Sequence, residues 1–399
     1  MLNHRFLLLV LGALTAFAPM SIDLYLSSLP SLEQSLRATP VQVQLTVSLF
    51  FIGFAFGQLV YGPLTDRYGR MLPLIAGLVL YILASIGCAL ATNIHVLIAL
   101  RLVEALGACA GVVVSRAMVR DLFQGPDAAR VFSSLMLVMG LAPIVAPLAG
   151  GYLLVWFGWR SNFWALSLFG MACLAGALLV LRETHPAAAR TRGPAARGAL
   201  REYRRILADT TFLRNALTSS LSSSGLFTYI AASPFVLMTI YKVPTHLYGW
   251  LFGLNALGLI IASQVNHRLL TRFGAETLLR TAGTVQCIAG LTLLSSAITG
   301  FGGLHGVLAP LFLFTTCMGF ILPNATASAL NGYRATAGSA AALIGTLQFG
   351  LGAAISALVG LFHQHSAVPM CAGIALCGIA SAIVQRTVGR NQRAGVTAA

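Results

Sequence analysis

Apolar windows about 20 residues long recur along the whole chain, and the charges are largely confined to the short gaps between them. A bilayer core of roughly 30 Å is crossed by about 20 helical residues, so windows of this length read as membrane spans. Twelve are recognised, at 6–27, 44–63, 72–91, 94–115, 131–155, 162–181, 214–238, 247–266, 277–299, 304–328, 338–361 and 367–385. With 57% hydrophobic and 9% charged residues, the chain lies far from the balance of a soluble domain. Residues 6–26 lack a following small-residue cleavage site and are expected to stay as a span instead of leaving as a signal peptide. The predicted class is an all-α integral membrane protein with 12 transmembrane helices.

Basic residues orient the spans. Arg5, Arg67 and Arg70, Arg116 to Arg130, Arg182 to Arg214, Arg268 to Arg280, Arg334, and Arg386 to Arg393 all fall on the side that the termini share. Only Arg37, Arg160 and Lys242 fall opposite, with Arg101 inside a span. Loops rich in Lys and Arg stay in the cytoplasm, so both termini are expected there, in a multi-pass membrane protein. The net charge of +15 is thereby accounted for by topology, and no nucleic-acid partner is expected. The seven cysteines lie in apolar stretches without CxxC spacing, which predicts packing roles and neither disulfides nor a metal site.

Residues 182–213, rich in Arg, Ala and Pro, interrupt the pattern. They divide the chain into a six-span bundle at 1–181, a cytoplasmic linker at 182–213, and a second six-span bundle with a short tail at 214–399. "GPLTDRYGRM" (62–71) after span 2 has an echo in "HRLLTRFGAE" (267–276) after span 8, with Leu64, Arg67 and Gly69 matching Leu269, Arg272 and Gly274 at an offset of 205. Two related halves around a central site are the layout of a secondary transporter.

In the 62–71 stretch, Gly62 and Gly69 are expected to permit a tight reversal, and Asp66 to pair with Arg67, Arg70 or a neighbouring helix end. Such a cluster can latch one arrangement of helices, whereas the arginines alone could serve only as a positive-inside anchor. The pattern Gly62-x-Leu64-x-Asp66-Arg67-x-Gly69-Arg70 resembles the loop signature of the major facilitator superfamily, with Met71 standing where a second basic residue is usual. "RLVEALGACAG" (101–111) resembles the span 4 motif of proton-coupled members, with Glu104 where glutamine is commoner. "APIVAPLAGG" (142–151) resembles the span 5 motif of drug/proton antiporters through Pro147, Gly150 and Gly151, Ala146 replacing a glycine. Together with "SIDLYLSSLP" (21–30), "SRAMVRDLF" (115–123), "GWRSNFW" (158–164) and "LPNATASAL" (322–330), these stretches are similar to the bicyclomycin-resistance (Bcr/CflA) branch of drug exporters. The resemblance implies drug:proton antiport by alternating access, with gating at Gly62, Asp66, Arg67, Gly69, Arg70, Pro147, Gly150 and Gly151.

Asp23, Arg101 and Glu104 fall inside predicted spans. A charge at mid-bilayer costs roughly 2.5–3.5 kcal/mol on insertion scales, so each is expected to face a cavity or a partner. Asp23 and Arg101 lie near one depth, in position to pair, and Glu104 shares a helical face with Arg101 three residues on. A carboxylate alternating between dry and guanidinium-paired surroundings loads and releases a proton, and all three residues are assigned to proton coupling. The alternatives are a local ion pair for Glu104 and a packing role for Asp23.

Tyr25, Ser223, Phe227, Tyr229, Asn324 and Gln348 are candidate substrate contacts, offering aromatic surface and a few hydrogen-bonding groups. Helix packing is the competing use of each. The substrate class implied by the resemblance is small antibiotics such as bicyclomycin or chloramphenicol-type compounds; the alternative cargo is a metabolite such as a dipeptide, cysteine or sugar. Ser222, Ser223, Ser224 and the scattered histidines form no catalytic pattern, and neither HExxH nor GxxxxGK[ST] occurs, which argues against an enzyme or an ATP-driven pump. A channel or receptor is the remaining rival. No cofactor is expected beyond a proton gradient, and the chain is expected to act as a monomer in the bilayer.

Overall fold

The computed structural model describes residues 4–123, 125–185, 195–333, 336–362 and 366–387. Arg190, Arg192, Arg334, Arg390 and Arg393, counted above in the orientation argument, lie outside the described residues. Helices account for nearly all of what is described: α1 His4–Thr15, α2 Phe17–Asp23, α3 Leu29–Ser35, α4 Pro40–Tyr68, α5 Met71–Leu90, α6 Ile94–Leu122, α7 Gly125–Phe157, α8 Arg160–Val180, α9 Ala195–Ala208, α10 Thr210–Ser233, α11 Thr245–Phe273, α12 Ala275–Thr299, α13 Gly303–Leu330, α14 Ala337–Leu361 and α15 Val368–Thr387. Among the described residues, 11 helices are long and apolar enough to cross a membrane, and a bent pair brings the number to 12. Large apolar side chains stand exposed on them, including Leu179 at 83% and Trp156 at 69%, a surface that suits lipid and not water.

The first span differs from expectation. In place of one helix at 6–27, α1 and a second segment reaching Ser35 meet at a bend of 46°. Pro19 supplies the reason: it has no N–H to donate to the Thr15 carbonyl, and its ring crowds that carbonyl, so the helix breaks one turn earlier, at Ala16. A 3-10 turn at Leu26–Ser28 then joins α2 to α3.

Local signals set the other boundaries. Thr39 closes a capping box on α4, accepting from the Gln42 N–H at 3.3 Å while the Gln42 side chain accepts from the Thr39 N–H at 2.9 Å. Asn93 caps α6 through the His95 N–H at 2.7 Å, and Asp209 caps α10 through the Thr211 N–H at 2.8 Å. The 182–213 segment holds α9, an element its Pro- and Gly-containing composition concealed.

The chain forms two compact units, Met1–Ala199 with Pro244–Gly253, and Leu200–Val243 with Leu254–Ala399. In the first, glycines let helices touch at backbone distance: a Cβ on Gly53 would stand 2.6 Å from the Leu102 carbonyl, and one on Gly57 would stand 2.7 Å from Cys109 Cβ. In the second, hydroxyls and amides are tied internally, as where the Gln286 amide donates to Ser222 Oγ at 2.8 Å. The described repeat is visible in the backbone, since Gly69 (φ 84°) and Gly274 (φ 73°) both turn the chain through the left-handed region between consecutive spans.

Candidate functional site

The intramembrane charges gather in the first unit around Arg101. Its side chain is fully buried, and its guanidinium donates to Glu104 Oε2 at 2.6 Å and to the Ser21 carbonyl at 2.9 Å. Three rings enclose it, with Tyr25 at 4.2 Å, Phe50 at 4.3 Å and Phe163 at 5.8 Å from centroid to guanidinium carbon. Cation–π attraction is strongest where water is excluded, so the cage offsets part of the desolvation of Arg101. Glu104 also accepts from Ser85 at 2.9 Å and from the Cys88 thiol at 3.9 Å.

This arrangement corrects one expectation. Arg101 does not pair with Asp23; it holds Glu104 on its own helix and the backbone of α2. A residue three positions along the same helix is reached without moving any span, whereas meeting Asp23 requires α2 to be turned so that the carboxylate, and not the Ser21 carbonyl, points at the guanidinium. Asp23 is 3% exposed, and its Oδ1 has no hydrogen-bond partner among the described residues. A buried carboxylate without partners is costly while ionised and tolerable when protonated.

The turn after span 2 carries a second cluster. Because α4 runs on to Tyr68, Gly62 lies inside a helix with open space where a Cβ would be, so the expected role of Gly62 in the reversal falls to Gly69 alone. Arg70 donates to Asp66 at 2.8 Å, to Thr65 at 3.0 Å and to Asp121, at the end of α6, at 2.9 Å. Burial opposes the Arg70 charge, but the hydrogen bonds of Asp121 and Asp66 outweigh it and hold its pKa above the usual arginine value. Glu183 receives the backbone N–H groups of Arg70 and Met71 at 2.9 and 3.2 Å, capping α5, and Thr184 donates to Asp121 at 2.8 Å. Arg67 stands over the Tyr68 ring at 5.2 Å and makes no ion pair among the described residues. Asp121, Glu183 and Thr184 escaped the sequence reading because they lie 51 to 114 residues from Arg70; the one available signal was the presence of carboxylates at the ends of spans 4 and 6.

In α7, Pro147, Gly150 and Gly151 are all buried. A Cβ on Gly150 would collide with the Leu24 carbonyl at the end of α2, while one on Gly151 would meet only the Thr245 carbonyl, at 3.8 Å. Gly150 is therefore required by close approach, and Gly151 is not.

Of the candidate substrate contacts, Tyr25 belongs to the Arg101 cage, its hydroxyl bonded to Thr46 at 3.0 Å. The others lie in the second unit. Tyr229 accepts from Asn255 at 3.3 Å, and Asn255 accepts from Thr315 at 3.0 Å. Asn324 donates to Asn266 at 2.7 Å, Ser223 is buried, and Phe227 packs at a tilt of 31° against Phe349, the neighbour of Gln348, with ring centroids 4.8 Å apart.

A bent first span, small-residue contacts between helices, a repeated turn, and ionisable residues buried within the spans define a polytopic transporter. The family profile of the Major Facilitator Superfamily matches residues 11–357; the chain belongs to this superfamily, and it is a transporter of small molecules and not an enzyme. It is 36% identical over 368 residues to the uncharacterized MFS-type transporter YdgK of Bacillus subtilis, covering 90% of both chains. It is 33% identical over 377 residues to a bicyclomycin resistance protein homolog of Haemophilus influenzae, covering 94% of both. The crystal structure of a D-xylose-proton symporter shares the fold with a TM-score of 0.73 at 15% identity, over 95% of this chain and 97% of that one.

Proposed function

We propose that the chain exports small antibiotics in exchange for protons, by alternating access across a bacterial inner membrane with both termini in the cytoplasm. The observation that carries this reading is the buried Asp23 carboxylate whose Oδ1 has no partner, two residues from the carbonyl that Arg101 holds. Protonated, Asp23 is neutral and the dry site tolerates it; exposed to water on the opposite side, it releases the proton and becomes a counter-charge for Arg101 or for cargo. Glu104 keeps Arg101 neutralised while Asp23 is uncharged. Arg70, Asp66, Asp121 and Glu183 form the latch that holds one state, and Gly150 lets span 5 close against the end of α2 in span 1.

Drug-like cargo is supported by the bicyclomycin resistance protein homolog and by the mix of aromatic and amide groups at Phe227, Tyr229, Asn324 and Gln348. The test is transport by the purified monomer in proteoliposomes with an imposed pH gradient, using bicyclomycin, a chloramphenicol-type compound and a dipeptide. Gradient-dependent movement of the antibiotics supports the proposal. Movement of the dipeptide alone assigns a metabolite exporter, and no gradient-dependent movement of any of them rejects proton coupling.

A further inference from the structure

The linker helix α9 takes no part in the sites described above. It ends at Ala208, and the next residue, Asp209, is the cap of the span helix α10. Asp209 also accepts the Tyr333 hydroxyl at 2.7 Å, which pins the junction to the end of α13. With one residue between them, the last turn of α9 adjoins the start of the membrane-crossing helix at Thr210.

The side chains of α9 divide by chemistry. Successive residues turn by about 100°, which puts Leu200, Tyr203, Ile206 and Leu207 on one arc and Arg201, Arg204 and Arg205 on the adjoining one. Ile206 is fully buried against the protein, whereas Leu200 is 53% and Leu207 36% exposed. The three arginines are exposed as well. One edge of the apolar stripe is thus seated on the protein, and the other stands open beside a row of guanidinium groups.

We propose that α9 is a membrane-surface helix that docks on anionic phospholipid headgroups, with Leu200 and Leu207 dipping among the acyl chains and Arg201, Arg204 and Arg205 holding phosphates. The junction with the span helix α10 at Asp209, the mixed Leu and Arg face and the excess of exposed arginines over the single, half-buried Glu202 together select this occupant. Basic amphipathic helices bind bilayers through buried apolar area together with attraction to anionic lipid. The linker between the bundles then senses headgroup charge directly. This inference is independent of what the transporter carries.

The experiment is hydrogen–deuterium exchange of the whole protein in nanodiscs of phosphatidylcholine alone or mixed with phosphatidylglycerol. Amides of residues 200–208 are expected to exchange at least about threefold more slowly in the anionic discs, with the difference erased by high salt. The triple variant Arg201→Gln, Arg204→Gln, Arg205→Gln removes the difference while α10 exchanges as before. Arg204→Gln alone, a change at one exposed side chain, reduces it in part and serves if the triple variant fails to fold. Equal exchange in both discs, a lipid effect undiminished by Arg204→Gln, or one that persists in the folded triple variant overturns the proposal. Inorganic phosphate that reproduces the slowing in phosphatidylcholine discs assigns a soluble-anion site and overturns it equally.

Discussion

Arg101 and Glu104, one helical turn apart on α6, form an ion pair of 2.6 Å in which neither side chain is exposed. Removing one partner of such a pair strands a buried charge at a cost of about 3–5 kcal/mol, whereas removing both is often close to neutral. Arg101→Leu and Glu104→Leu are each expected to lower the melting temperature sharply. The double variant should melt closer to the parent than either single one. Additive losses would show that the pair is not what neutralises Arg101.

The contact between Gly150 and the Leu24 carbonyl makes a steep prediction from one methyl group. Gly150→Ala overpacks the contact with the end of α2 and is expected to cost about 1–3 kcal/mol or to shift α2. Gly151→Ala, with ordinary space around it, is expected to stay within about 0.5 kcal/mol of the parent. Thermal melting of the two variants side by side checks both.

The carboxylates on Arg70 are not equivalent. Asp121 is 21% exposed and Asp66 56%, and exposed pairs contribute little, about 0–1 kcal/mol. Asp121 also accepts from Thr184. Asp121→Asn is therefore expected to destabilise more than Asp66→Asn in melting experiments, and Glu183→Gln to loosen the start of α5 in hydrogen exchange.

The Tyr333 hydroxyl, donating to Asp209, is the main reason that the Asp209 carboxyl lies below its ordinary value of 3.8. An aspartate with a depressed folded value stabilises the fold at pH above its unfolded value, and the contribution is lost as pH falls through the folded value. The melting difference between the parent and Tyr333→Phe should be constant from neutrality down to about pH 4 and shrink below that. A difference that grows on acidification would contradict the assignment.

Hydropathy made the spans legible because lipid demands a continuous apolar helix, and the helices after the first span match the windows to within a few residues at most ends. The pairing of Arg101 with Glu104 was legible for a similar reason, being local to one helix. The expected pairing of Asp23 with Arg101 is not formed, because it depends on how α2 is rotated beyond the bend at Ala16, which sequence spacing does not encode. The Arg70 cluster was half visible: Asp66 and Arg70 are neighbours along the chain, but Asp121 and Glu183 arrive from other spans. Helix α9 was hidden by alanine, proline and glycine around it, although its leucines and arginines keep a helical period.

The central claim is that Asp23 carries the exchanged proton, and Asp23→Asn tests it most directly. Asparagine keeps the shape and removes the titration, so the variant should insert and melt like the parent. In proteoliposomes with an imposed pH gradient it is expected to lose antibiotic efflux while still binding the drug. Efflux at the parent's rate from a correctly folded Asp23→Asn variant would contradict the account.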